Sequence, residues 1–452
     1  MLCNTSRLVR CRSLCCTLFI VALTSLPAAA QVQLSLDECI RIALEENPTI
    51  KVAEMEIERV DYSRKETIGQ LLPSVNFSGQ YTRNLALQTI YMNTPEGTTS
   101  FKMGRDNTFN TGFTASVPLV MPTLWRSIKL SDNQILQNME TARESKLSLV
   151  NQVQKAYYAL LLAQDSKRVI EENQQTAKLN ADIYAKQYKI GTASEYDMLR
   201  ANVAVTNLEP SILEAENTIT QLELQLKVLM GMDVRTPIAP SQSLDDFKGM
   251  MYERALAATS VDTTLASNSS LKSLDLQTDY LQKALEVQKM AWFPTLTGDA
   301  SLMWNSMSDG NPLKNFQWSH SAAVGITLAF PLFQGGQRYY RQKQAEVAVR
   351  EMRWQRENLQ RSLNMQVRTQ IDNIAKSLKQ IESNDAGVEQ AQKANDIMQK
   401  SFAMGAASFI QLRDTEDALM SARLAYYQAI YNYLVAESDL QYLQGNTHYV
   451  NQ

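Results

Sequence analysis

The sequence predicts a mainly α-helical chain that also lends four strands to a membrane β-barrel, with one structural plan used twice. Three observations predict it. Two glycine pairs, Gly191 with Gly405 and Gly231 with Gly445, are each separated by 214 residues, which marks a duplication. Two stretches, about Thr123 to Lys189 and about Gly336 to Ala403, read as unbroken helix; at ~1.5 Å per residue each is about 100 Å long, beyond the width of a globular domain. Four segments of roughly ten residues alternate apolar with small polar side chains, the pattern of an outer-membrane strand.

Residues 1–30 read as a secretory signal: Arg7, Arg10 and Arg12, then the apolar run "TLFIVALTSL", then "PAAA" ending at Ala30. The run is too short to span a bilayer as a stable helix, and no cysteine there has the context of a lipid acceptor. Cys3, Cys11, Cys15 and Cys16 lie in this segment, so the mature chain is expected to keep Cys39 alone and to form no disulfide of its own. The formal charge is −3; without the three signal arginines it is about −6, which argues against a general nucleic-acid binder.

The first repeat, residues 31–231, opens with a helix from about Leu36 to Gln70. "SLDECIRIALEENP" starts it, with Ser35 as N-cap and Glu38 completing a capping box. Strands follow at about 73–84 and 107–119, joined by a loop at about 85–105. The long helix then runs to the break at "YKIGTASEYDML", and a further helix reaches Gly231. Residues 232–265, with Pro237 and Pro240, form an irregular segment near mid-length. The second repeat, residues 266–445, has a helix at about 267–291, strands at about 294–305 and 318–332 around a loop at 306–315, the second long helix, the break at "FAMGAASFIQLRD" and a last helix. Residues 446–452 are a tail. Val367, Ile371, Ile374, Leu378 and Ile381 step by 4-3-4-3, a coiled-coil seam. Ala418, Ala422, Ala425, Ala429 and Ala436 form a small-residue stripe that suits close helix approach.

In the strands, Val75, Phe77, Gly79 and Tyr81 oppose Asn76, Ser78, Gln80 and Thr82, and the other three segments alternate likewise. Tyr81, Phe109, Trp304, Trp318 and Phe330, near strand ends, suit interfacial girdles. A soluble sandwich is the alternative, but it calls for more strands and shorter helices. Four strands cannot close a barrel, and open edges are not viable in lipid. Two copies give eight strands, an interior just filled by side chains; an open duct takes three or more copies.

Nothing in the chain reads as catalytic. His320 and His448 are the two histidines, far apart, and no Cys/His/acid cluster has metal-ligand spacing. "FQGGQR" lacks the patterns of a phosphate-binding loop. No cofactor is expected.

Taken in order, "LSLDECIRIALEENP", the strand-ending "PLFQGG" at Pro331 and the Gly-x-x-Ser breaks resemble the TolC-like outer-membrane efflux protein family over essentially the whole mature chain. The resemblance implies a homotrimer with a twelve-stranded barrel in outer-membrane lipid and an α-helical tunnel across the periplasm. It also implies a periplasmic adaptor and an inner-membrane pump as partners, and a passive conduit for small toxic molecules. A duct for type I protein secretion and a structural coiled-coil envelope protein are the other readings.

The breaks are then turns at the far end of the tunnel. Glycine suits a left-handed residue after a helix, and Ser194 with Asp197, and Ser408 with Gln411, fit capping boxes. The resemblance implies a constriction at the second break: an arginine two residues after the glycine, acids six and nine after it, and a tyrosine three before. Here those positions hold Ala407, Gln411, Asp414 and Phe402. The expected constriction set is Asp414, Gln411, Phe402 and Asp197, with Asp414 as the acidic ring or, alternatively, a solvated helix residue. Gly191, Thr192, Gly405 and Ala406 are the expected adaptor-docking tips.

Overall fold

The computed structural model describes residues 32–95, 97–249, 251, 265–311, 317–445 and 449. The expected signal segment, His448 and most of the expected tail lie outside them. In chain order the elements are β1 (Val32–Leu34), α1 (Leu36–Glu46), α2 (Pro48–Gly69), β2 (Ser74–Arg83), β3 (Gln88–Thr94), β4 (Gly97–Met103), β5 (Asn107–Val120), α3 (Pro122–Lys189), α4 (Glu195–Thr206), α5 (Glu209–Met230), β6 (Ile238–Pro240), a 3₁₀ turn (Leu244–Phe247), α6 (Ser269–Met290), β7 (Thr295–Ser308), β8 (Trp318–Ala329), α7 (Gln337–Ala403) and α8 (Phe409–Gln444).

Ser35 and Glu38 form the expected capping box, but the expected single helix to Gln70 is two. Asn47 is extended (φ −62°, ψ 124°) and its side chain accepts from Thr49 N–H. Its amide also donates to the Leu229 carbonyl at 2.8 Å, and Pro48 supplies the first-turn proline. The helix after Gly191 is likewise two, α4 and α5, parted at Asn207–Leu208 ahead of Pro210. The expected 85–105 loop carries the antiparallel β3–β4 hairpin, and β8 stops at Ala329, short of 332, opposite Thr295, where its partner strand β7 begins.

The rods follow one rule twice. Along α3 lie α2 toward the strands and α4 and α5 toward the far end; along α7 lie α6 and then α8. The junctions repeat in detail. Gly231 and Gly445 both cap helices at positive φ, 68° and 65°. A Cβ at Gly231 would stand 2.7 Å from the Glu46 carbonyl oxygen, and one at Gly445 closer still to that of Ser267. Asn268, like Asn47, donates to a helix-end carbonyl, Leu443, while capping its own helix.

The core sits at mid-length, where β1 pairs in parallel with β6 and both pack with α1 against Leu149–Leu161 of α3 and Tyr426–Leu443 of α8. Tyr157 is fully buried and donates to the Leu34 carbonyl at 3.1 Å. Cys39 is buried here too, and burial pushes its thiol up to about 12. The α7 seam faces this core: Val367, Ile374 and Ile381 are buried, with Ile371 and Leu378 half-buried beside them. The alanine stripe does so only in part. Ala429 and Ala436 are buried, but Ala418 and Ala425 are exposed, because Tyr426, Ile430 and Tyr433 carry the contact face of α8.

The four long strands form one antiparallel sheet, order β2-β5-β7-β8. Register stacks Phe77, Phe113, Leu302 and Ala322 in one row and Val75, Ala115, Ala300 and Val324 in the next, all on one face. Asn76, Thr114, Ser301 and Ala323 lie on the other. Tyr81, Phe109 and Trp318 share a row at the end distant from the helices. In outer-membrane barrels, strands that alternate in this way turn the apolar face to lipid and the polar face to the lumen. β2 and β8 are free edges of this sheet. Among the described residues no helix is long and apolar enough to cross a membrane.

Candidate functional site at the twin hairpin tips

Both long helices end in the same hydrogen-bonded motif. Gly191 and Gly405 are left-handed, φ 77° and 74°. Thr192 N–H donates to Gln187 O and Gly191 N–H to Tyr188 O; Ala406 N–H donates to Ser401 O and Gly405 N–H to Phe402 O, all within 2.9–3.0 Å. This is the Schellman closure, which satisfies helix-end carbonyls and needs a residue without a Cβ penalty at the left-handed position.

The chain then restarts at a serine cap. Ser408 and Gln411 form a complete box: Ser408 Oγ accepts from Gln411 N–H at 3.4 Å, and Gln411 Oε1 accepts from Ser408 N–H at 2.9 Å. At the first tip the box is incomplete. Ser194 Oγ accepts from Asp197 N–H at 3.2 Å, but the Asp197 carboxylate takes the Ser194 hydroxyl at 2.6 Å rather than its N–H. Both capping side chains are thus engaged in starting their helices. Asp414, one turn further along α8, is exposed, and among the described residues no ion pair or hydrogen bond holds its carboxylate.

Gly191, Thr192, Gly405 and Ala406 are exposed. Beside them the two C-cap side chains, Ile190 and Met404, are 75% and 77% exposed. Sequence reading passed over this second twin pair, although the same 214-residue offset marks it.

Phe402 lies against the other hairpin. Its ring is 5.8 Å from that of Tyr184 on α3, which also meets Phe409 of α8 edge-on at 5.1 Å. Ala181, Tyr184, Ala201 and Phe409 are buried in this small cluster, with Phe402 half-buried at its rim. Tyr184 and Phe409 therefore tie the two tips of one chain together. Ala177, Ala181 and Tyr184 step by 4-3 along α3, a signal that could have found the tyrosine.

Two turns above, Glu416 is 4% exposed. Asn180 Nδ2 donates to its Oε1 at 2.9 Å, and Arg413 stands 3.7 Å from its Oε2 while pairing with Asp417 at 2.7 Å. Burial pushes the Glu416 carboxyl above its ordinary range, against the lowering by Asn180 and Arg413. Glu416 lines a polar groove of about 240 Å³ with Asn173, Gln392, Asn395 and Arg423, between α3, α7 and α8.

Outer membrane efflux protein is the family model that matches the chain, over residues 39–232 and 261–446. The chain belongs to that family. Its curated relatives include alkaline protease secretion protein AprF of Pseudomonas aeruginosa, 25% identical over 89% of this chain and 83% of the relative. Outer membrane protein TolC of Vibrio cholerae is 21% identical over 83% and 82%, and pyoverdine export outer membrane protein OpmQ of P. aeruginosa 20% over 72% and 68%. Among solved structures, the Campylobacter jejuni CmeC outer membrane channel superposes with TM-score 0.72 at 17% identity, covering 91% of this chain and 85% of that one. The open state of the Neisseria gonorrhoeae MtrE outer membrane channel does so with TM-score 0.68 at 17% identity, covering 91% and 89%. As a family member this chain is an outer-membrane exit duct, with a membrane sheet and a long periplasmic helical portion.

Proposed function

We propose that three copies assemble into a passive conduit whose barrel sheets close β8 onto the neighbour's β2, and whose helices line a periplasmic tunnel ending at the Gly191 and Gly405 tips. The observation that carries it is the four-stranded sheet with two open edges and one polar face, set at one end of helices about 100 Å long. Twelve strands leave room for an aqueous lumen where eight do not. The chain supplies no chemistry of its own; an inner-membrane pump drives small toxic molecules through it by way of a periplasmic adaptor that docks at the exposed tips. Ile190 and Met404 give that adaptor apolar contacts, flanked by the small residues Gly191, Thr192, Gly405 and Ala406. Detergent-purified protein is expected to have the mass of a trimer and to conduct in planar bilayers; a non-conducting or monomeric species overturns the duct.

Asp414, repeated three times about the axis, forms the acidic ring of the narrow end, with Gln411 and Phe402 replacing charged and hydroxylated partners. Asp414→Asn should lower conductance and cation preference; a channel unchanged in both removes Asp414 from the constriction.

Protein secretion is the second reading, favoured by the likeness to AprF. A deletion strain separates the two. Sensitivity to small toxic compounds supports efflux, and loss of a protein from the culture supernatant supports secretion.

A further inference from the structure

We propose that Asp299 is the fixed charge that sets ion preference inside the barrel, a role distinct from that of Asp414 at the far end of the tunnel. The proposal rests on the trimeric duct above. Across β2, β5, β7 and β8 the charged residues are Arg83 and Asp299, with His320 the one imidazole. Arg83 ends β2 on the parity of Val75, Phe77 and Tyr81, and His320 pairs with Trp304 on that same apolar face. Asp299 pairs with Ser116 on β5 and Gly325 on β8, on the polar face. It is therefore the one charged side chain that β2, β5, β7 and β8 carry on the polar face.

Its surroundings hold the charge without cancelling it. Ser116 Oγ donates to Oδ1 at 2.8 Å, and Thr327 Oγ1 donates to Oδ2 at 3.0 Å. Hydroxyl donors on both oxygens fix the carboxylate in place, yet among the described residues no lysine or arginine pairs with it. The position across the ladder is glycine, and a Cβ added at Gly325 meets nothing within 4 Å. The carboxylate thus borders open space. Asp299 lies four residues past Thr295, the first residue of β7, about 14 Å into the strand from its helix-proximal end. Threefold repetition places three carboxylates at one height, and a ring of like charge in a pore enriches counter-ions.

The test is the reversal potential of single channels under a KCl gradient. Asp299→Asn keeps the hydrogen-bond acceptor and should lower the potassium-to-chloride permeability ratio roughly twofold or more, while Asp299→Glu should restore it. Gly325→Lys, which leaves Asp299 and its hydroxyls in place, should lower the ratio as well. Conducting Asp299→Asn and Gly325→Lys channels with the wild-type ratio would overturn the assignment while leaving the duct intact. A wild type that does not conduct would overturn the duct and the assignment together.

Discussion

Glu416 places a carboxyl between three helices, with one oxygen bonded to Asn180 and the other facing Arg413 at 3.7 Å. Desolvation raises its pKa in the folded chain above the ordinary 4.5. The folded state therefore keeps this proton to higher pH than the unfolded chain does. Its contribution to stability is retained below about pH 4.5 and lost as pH rises through the folded value. Glu416→Gln has no proton to lose. Hydrogen exchange of α3 and α8 near the tips should show the variant gaining protection over wild type as pH rises from about 4.5 to neutrality; a gain independent of pH removes Glu416 as the source. Asp197 and Gln411 teach a different lesson at this scale. Their spacing from Ser194 and Ser408 encoded a local task, and the structure shows them occupied by it.

At the scale of elements, periodicity located the long helices to within a residue or two, since α3 and α7 carry no competing cap along their length. The breaks at Asn47 and at Leu208 were harder to see. "NP" and "LEP" each put a proline at a first-turn position, which is as consistent with continuing a helical region as with restarting one. Asn47 is fixed as a cap by the Leu229 carbonyl, 182 residues away. The two Schellman tips, by contrast, are complete within a few residues each, and they are the docking site of the adaptor proposed above. Replacing Thr192 and Ala406 by glutamate leaves both glycines and both serine caps intact. The double variant should keep its trimer on native gels and lose pump-dependent resistance in cells; resistance equal to wild type would move the adaptor's contact away from the tips.

The whole molecule is decided by what one chain leaves unpaired. An exposed sheet edge in lipid strands backbone groups that water cannot reach, and closing the ring through other copies is the remedy. A cysteine at Phe77 in β2, combined with a cysteine scanned along β8, should cross-link neighbouring chains into a ladder that ends at three on denaturing gels. A ladder ending at two, or no cross-linked species at any position, overturns the threefold barrel. Cys39 does not interfere, because it is buried and its thiol is poorly ionised. At the same scale, the two mid-length junctions share one device. Gly231 and Gly445 each let a helix end come against a carbonyl where a Cβ would collide, and each lies against an asparagine-capped helix start, at Asn47 and Asn268 respectively.

The sequence by itself determined the duplicated plan, the long helices, the four alternating strands and the two glycine-serine tips. Each is written in spacing of a few residues or in a fixed offset, so propensity, capping and binary pattern suffice to read it. Only the tertiary structure decided what meets what over long separations. It joined β1 to β6, set Tyr184 between Phe402 and Phe409, buried Glu416 beside Asn180, and turned Asp299 toward the hydroxyls of Ser116 and Thr327. Those contacts depend on how rods and strands of fixed length stack in space, and no local pattern carries that register.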